Sequence, residues 1–368
     1  MDREAFAVCS ETALTDNFRR LLSMAAGARL IAVVKANAYG HGVSFVAKTL
    51  AGAGADLFAV ARLSEAIALR RIVPRADVLI LGSTPPSLAP QLAEHRLIQT
   101  VQDLDYAKAL SKASREPIRT HLKLDVGMGR FGISISKSDS FEKALLALKQ
   151  PRLAFEGIFS HLPSADLPDT EETDRERRSF RRFTERLSAA YRPLPRHLLA
   201  SAGLLRYGGG GDAFVRPGLA LYGYPPSDAF SGRGFSPVLR LYAPVLAIRE
   251  LSKGERIGYG GTFAAPRSMR VALLGIGYGD GLPRALSGAP IRLGGHFCPI
   301  VGQICMDLAF CALPDAARVQ IGDLALVFGD TERTLLRLAA HARTIPYELL
   351  TSLSARLCRE VSSRKDLP

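Results

Sequence analysis

Leu30–Gly42 reads LIAVVKANAYGHG: five apolar residues deliver Lys35, then Asn37, Tyr39, His41 and two glycines. A short run that is apolar at every position suits a strand covered on both faces of its sheet. The same texture recurs outward from it, at Leu57–Ala61, Val78–Leu81, Leu97–Val101, His121–Leu124, Phe155–Phe159, His197–Leu199 and Phe214–Arg216. Helical patterns fill most of the gaps, at Val43–Gly52, Ser64–Arg71, Ser87–His95, Asp103–Lys112, Lys137–Lys149 and Thr173–Tyr191. Eight strand–helix units predict a (β/α)8 TIM-type barrel, where an open doubly wound sheet more often has about five to seven strands.

Beyond residue 236 the pattern changes. Val238–Arg249, Arg270–Gly275, Ile291–Leu293, Cys298–Val301, Leu308–Ala312 and Leu324–Phe328 read as strands joined by glycine- and aspartate-bearing turns. Only Thr331–Ala342 and Pro346–Cys358 read as helices. The expected organisation is a barrel over residues 11–235 and a mostly-β C-terminal domain over 236–368. Residues 1–10 form a separate N-terminal segment, free to join the β domain. The Pro-, Gly- and Ser-rich stretch Pro225–Phe235 supplies the boundary.

Composition narrows the function. Hydrophobic residues make up 47% of the 368-residue chain, which excludes disorder as its main state. No run approaches the ~20 apolar residues of a membrane span. The charged start MDREAFAVCS lacks a signal-peptide core, so the expected compartment is the cytoplasm. Lys and Arg number 48 against 35 Asp and Glu, a net charge of +13. The cations are dispersed, and the densest run, Arg175–Arg182, reads as a largely solvated helix; no nucleic-acid partner is expected. A basic chain suits an anionic small ligand. Five unevenly spaced cysteines indicate neither a disulfide framework nor a metal site.

A lysine ending an isolated strand ordinarily faces solvent. At the carboxyl end of a barrel strand it stands where these folds place their chemistry. There a partly apolar mouth lowers its amine pKa and suits it to Schiff-base formation. Tyr39 follows four residues on, and Gly40 and Gly42 allow the backbone close to a ligand. A second strand end, His121–Gly132 (HLKLDVGMGRFG), presents Lys123, Asp125 and then Arg130, a residue type that clamps carboxylates.

VVKANAYGHG resembles the pyridoxal-phosphate attachment motif of the alanine racemases, fold-type III enzymes. Further segments share the likeness in the family's order: HLKLDVGMGRFG, GIFSHLPSAD (Gly157–Asp166), VRPGLALYG (Val215–Gly223), RIGYGGTF (Arg256–Phe263), GIGYGDG, VGQICMD and IPYELL. HLLASAG (His197–Gly203) departs from it, with Ala200 in place of the usual Asn; Val126 replaces a usual Thr.

The resemblance implies racemisation of L- and D-alanine by a two-base mechanism, supplying D-alanine for peptidoglycan. It implies Lys35 as cofactor lysine and D-face base, and Tyr259 as L-face base. Tyr39, Ser201, Gly218, Leu219 and Tyr347 would hold the cofactor. His161 would stack on its ring and hydrogen-bond the catalytic tyrosine. Arg216 would face the pyridine nitrogen and, always charged, keep it unprotonated. Arg130, Met306 and Asp307 would bind the substrate carboxylate, and a carbamylated Lys123 would brace Arg130. In relatives Tyr259 and Met306–Asp307 come from a second subunit, which implies a homodimer with shared sites. A broad-specificity or serine racemase shares these motifs. Fold-type III decarboxylases instead place Glu at the pyridine nitrogen and use a late Cys motif. A pyridoxal-phosphate carrier would be a single barrel without the β domain, and Ala200 alone supports a degenerate binding module.

Overall fold

The computed structural model describes residues 4–363. Its first half is a closed parallel barrel. Strand pairing runs from Leu30↔Val215 and Ala32↔Phe58 through Phe58↔Val78, Ile80↔Gln99, Gln99↔Thr120, Leu122↔Ile158 and Phe159↔His197. The bridge Ala200↔Arg216, with Val33 N–H donating to the Pro217 carbonyl, completes the ring. The (β/α)8 barrel is therefore present, although its seventh and eighth strands are two-residue ladders, Arg196–His197 and Phe214–Val215. Strand residues such as Phe58, Val78, Leu79 and Leu122 are wholly buried, as a sheet flanked by helices demands.

Two helices were not legible as such. Ser10 caps Glu11–Met24 by accepting from Ala13 N–H, and Leu14, Phe18 and Leu21 form its buried stripe. Ser201–Tyr207 is shorter, and Ala200 at its N-cap offers no side-chain acceptor.

The second half is an antiparallel β structure organised by the strand Leu239–Leu251. Its first part pairs with Leu324–Phe328 and its second with Met269–Leu274. A shift of register at Val245/Ala247 lets one strand serve both neighbours. Met269–Leu274, Ala309–Leu313, His296–Val301, Pro290–Leu293 and Leu324–Phe328 complete the circuit. Phe6–Ser10 lies beside Leu239–Leu251 and also pairs in parallel with Cys358–Ser362. The helix expected over Pro346–Cys358 is corrected: it ends at Thr351, and Cys358 opens that last strand. The expected segments' residues 1–3 and 364–368 lie outside the described residues. Among the described residues no helix is long and apolar enough to cross a membrane.

Candidate active site

The carboxyl ends of the barrel strands surround a cavity of about 670 Å³. Ten of the thirteen candidate residues line it: Lys35, Tyr39, Lys123, Arg130, His161, Ser201, Arg216, Gly218, Leu219 and Tyr347. Each except Tyr347 lies in or just after a barrel strand. Tyr347 arrives from the helix Pro346–Thr351. That helix comes close because Gly40 has no side chain: a Cβ there would stand 2.1 Å from the Leu350 carbonyl oxygen.

The chain leaves Lys35 in an unusual way. Ala36, Asn37, Ala38 and Tyr39 all have φ between 52° and 54°, a left-handed turn of four non-glycine residues. Such backbone costs roughly 1–2 kcal/mol per residue and persists only where its surroundings hold it. Here the Glu65 carboxylate accepts from Ala36 N–H at 2.7 Å. Asn37 Oδ1 accepts from Val43 N–H, and Arg359 Nε donates to the Gly40 carbonyl. The Lys35 amine is held below its ordinary pKa, chiefly by burial and then by Arg130, while Glu65 opposes both.

Four basic side chains, Lys35, Lys123, Arg130 and Arg216, line this cavity with one carboxylate, Asp166. Lys123 is 7% exposed with Nζ 4.8 Å from the centre of the Phe159 ring, and burial drives its amine pKa far down. Asp125 wraps the following turn around itself by accepting from Gly127, Met128 and Gly129 N–H groups, which carries the chain to Arg130. Burial, with Arg216 nearby, pushes His161 down to about 3, so its ring is neutral.

Arg216 is buried with no carboxylate among its hydrogen-bond partners. It donates to the Ser160, His197 and Leu198 carbonyls and to His197 Nδ1 at 2.8 Å. Burial lowers its pKa to about 10, so it remains charged at neutral pH. Because His197 Nδ1 must accept, Nε2 carries the proton and donates to His121 Nδ1 at 2.8 Å. Both histidines open quoted motifs, yet neither received a role from sequence; His197 lies one strand away from Arg216, and His121 two strands away from His197.

Ser201 Oγ accepts from Gly218 N–H at 2.9 Å and Ala220 N–H at 3.3 Å. A Cβ at Gly218 would lie 2.5 Å from the Tyr39 hydroxyl. With its oxygen accepting from the Gly218 and Ala220 amides, the Ser201 hydroxyl keeps its proton to donate and stands with the Tyr39 phenol in the cavity wall, two hydroxyl donors suited to phosphate.

Tyr259, Met306 and Asp307 do not line the cavity. Tyr259 is 72% and Met306 54% exposed, and Asp307 pairs with Arg356 at 2.6 Å. They belong to one loop cluster of the β domain. The Gly258 turn lies against Gln303, while Gly279 N–H donates to the Met306 carbonyl.

His41, His121 and His197 are buried and held neutral by desolvation, His41 at about 4 and His121 at about 3, with His197 also far below its ordinary value. An unfolded chain takes up these protons from about pH 6.5 downward, whereas the folded chain protonates His41 only near pH 4, His121 only near pH 3, and His197 well below its ordinary range. Stability is therefore full above about pH 6.5 and lost as pH falls below it, by about 1.4 kcal/mol per histidine per pH unit. These three together with His161, itself depressed to about 3, predict a loss on the order of 5 kcal/mol at pH 5.5, read as a lowered urea midpoint relative to pH 7.5. Equal midpoints at the two pH values would show that these rings are charged in the fold.

Comparison with known proteins agrees with this geometry. Residues 10–226 match the family model "Alanine racemase, N-terminal domain" and residues 238–361 match "Alanine racemase, C-terminal domain". The chain is 37% identical over 366 residues to an alanine racemase of Pectobacterium atrosepticum, covering 97% of this chain and 98% of that one. It is 35% identical over 359 residues to a biosynthetic alanine racemase of Escherichia coli O6:H1, covering 96% and 98%. Among solved structures, the alanine racemase of Bacillus anthracis with bound L-Ala-P superposes with a TM-score of 0.90 at 30% identity, covering 100% of this chain and 97% of that one. The alanine racemase of Clostridium difficile 630 does so with a TM-score of 0.93 at 27% identity, covering 100% and 98%. With both halves matched in order and a barrel-mouth lysine standing among cations, this chain belongs to the alanine racemase family.

Proposed function

We propose that this chain racemises L- and D-alanine with pyridoxal 5′-phosphate as cofactor, supplying D-alanine for peptidoglycan. The observation that carries this reading is the cavity's charge. The guanidinium groups of Arg130 and Arg216 converge there beside the Lys35 amine, against one lining carboxylate, Asp166, and Arg216 has no carboxylate bonded to it. Such a site needs an anionic occupant, and the Ser201–Tyr39 cradle fits a phosphate at one end.

When bound, the cofactor supplies an electrophilic ring that makes the Cα–H of an attached amino acid acidic. The protein's part is binding, orientation and proton transfer. Tyr39, Ser201, Gly218, Leu219 and Tyr347 hold the phosphate. His161 would lie against the ring. Arg216 would face the pyridine nitrogen; its charge would leave that nitrogen unprotonated, restraining electron withdrawal and favouring return of the proton over transamination. Arg130 clamps the substrate carboxylate.

Lys35 Nζ would hold the cofactor covalently and would move the Cα proton on the D face. Tyr259 serves the L face. Because Tyr259 and the Met306–Asp307 segment lie outside their own chain's cavity, we infer a head-to-tail homodimer in which each cavity receives the partner subunit's Tyr259, Met306 and Asp307. In this division of labour the barrel, residues 11–235, binds the cofactor and the β domain, residues 236–368, completes the neighbour's site. Lys123, buried with a depressed amine pKa, is the group we expect to add carbon dioxide and, as a carbamate, to brace Arg130. The expected compartment is the cytoplasm.

The test is to load purified protein with pyridoxal 5′-phosphate and follow D-alanine formed from L-alanine with a D-amino-acid oxidase. L-serine is run in parallel. Robust turnover of alanine is expected. Cofactor binding without turnover of alanine would leave a binding module, and preference for serine would reassign the substrate.

A further inference from the structure

Glu65 lies outside every motif quoted above, on the first turn of the helix Leu63–Ile72. Its carboxylate bridges two barrel strands. One oxygen accepts from Ala36 N–H at 2.7 Å, immediately after Lys35. The other accepts from Ala61 N–H at 2.8 Å and Arg62 N–H at 3.1 Å, just past the strand Leu57–Val60. Capping its own helix needs only the Arg62 contact. The bond to Ala36 serves something else, because Ala36 opens the left-handed turn. Within the turn Ala38 N–H donates to the Val34 carbonyl, whereas Ala36 N–H, at its start, donates to Glu65, and a carboxylate is a strong acceptor for such an amide.

We propose that Glu65 is a positioning residue for Lys35: by lashing the left-handed turn Ala36–Tyr39 to the end of the second barrel strand, it fixes where the Lys35 amine stands in the cavity. The inference rests on Lys35 as the cofactor lysine. Two features of the site support it. Tyr39, three residues along the same turn, lies against Gly218, so one tether orients both the lysine and one wall of the phosphate cradle. Glu65 is also the carboxylate that acts on the Lys35 amine, opposing the depression caused by burial and Arg130. Its removal therefore makes the amine easier to deprotonate.

Two variants separate charge from reach. Glu65→Gln removes the charge and places an amide N–H₂ against one of the backbone N–H donors. Glu65→Asp keeps the charge but is one methylene too short to span both strands. In the full-length cofactor-free chain, Lys35 is trinitrophenylated with trinitrobenzenesulfonate across pH 6–11, the amine displacing sulfite from the ring, and the product is quantified by peptide mass spectrometry. In the loaded enzyme, release of pyridoxal 5′-phosphate on dilution is followed by its absorbance. For Glu65→Gln the labelling midpoint is expected to fall by about one pH unit, the scale of one nearby charge, and the cofactor to leave about tenfold faster. For Glu65→Asp the midpoint is expected near that of the unaltered chain, again with about tenfold faster release, a factor of ten being 1.4 kcal/mol. Lower thermal stability with an unmoved midpoint and unchanged release would reduce Glu65 to a helix cap and overturn the proposal. So would Glu65→Asp releasing cofactor at the unaltered rate. A cofactor fixed to another lysine in the unaltered chain would instead break the underlying assignment of Lys35, whatever Glu65 does.

Discussion

Lys35→Ala is expected to abolish both the borohydride-fixed attachment of pyridoxal 5′-phosphate and alanine racemisation in either direction. The loss has two sources. A positioned base typically contributes ~10²–10⁴-fold in rate, and removal of the covalent anchor adds to it, so activity should fall beyond detection in an ordinary assay. The cavity contains a second amine, Lys123, whose pKa is also depressed. Position separates the two. Lys123 is 7% exposed over the Phe159 ring, beside Arg216, whereas Lys35 stands at the barrel mouth beside Tyr39 and Arg130. Reduction with borohydride followed by peptide mapping decides between them. Cofactor still fixed to the Lys35→Ala chain, on the peptide carrying Lys123, would reverse the assignment.

Tyr259→Phe is the second large effect. It removes one hydroxyl from a side chain that is 72% exposed in its own chain, so folding and cofactor attachment at Lys35 should survive. Net racemisation should fall ~10²–10⁴-fold both ways, because each turnover uses a base on each face of Cα. Exchange with solvent should not fall equally. In D₂O, Lys35 still removes and returns the proton of D-alanine on its own face, while the L-alanine proton faces the missing hydroxyl. Proton NMR of Cα exchange should therefore show D-alanine exchanging far faster than L-alanine; equal rates would mean that one base serves both faces. Mixing this variant with Lys35→Ala subunits should restore partial activity, since one cavity of each mixed dimer has both bases. No recovery after verified subunit exchange would place Tyr259 in its own chain's site.

The barrel was legible because fully apolar strands alternate with helices, a pattern only a doubly covered parallel sheet explains. Its closure was harder to read. The seventh and eighth strands are two residues long, and their join depends on an isolated bridge and carbonyls such as Pro217. The helix Glu11–Met24 was missed although Ser10 and the spacing of Leu14, Phe18 and Leu21 announce it. Pro346–Cys358 was overextended because strand Cys358–Ser362 is defined by pairing with Phe6–Ser10, some 350 residues away, and no local pattern carries that information. At the site, strand-end residues could be named from sequence. The groups behind them could not. Glu65 and His121 act through a backbone amide and a ring tautomer, and neither leaves a spacing that distinguishes it from a surface acid or a core histidine.

The pairing of Phe6–Ser10 with both Leu239–Leu251 and Cys358–Ser362 also governs when this protein can be finished. The first strand leaves the ribosome well before either neighbour exists. At roughly 5–20 residues per second, about 20–70 s of synthesis separates it from the last strand it needs. During that interval the barrel can close while Phe6, Ala7 and Val8 wait with their backbone unpaired, an open template for another nascent chain. Maturation of the β domain is thus tied to synthesis of the strand Cys358–Ser362. A stalled or truncated product would carry a folded barrel and a vacant sheet edge, the kind of surface that chaperones and proteases recognise.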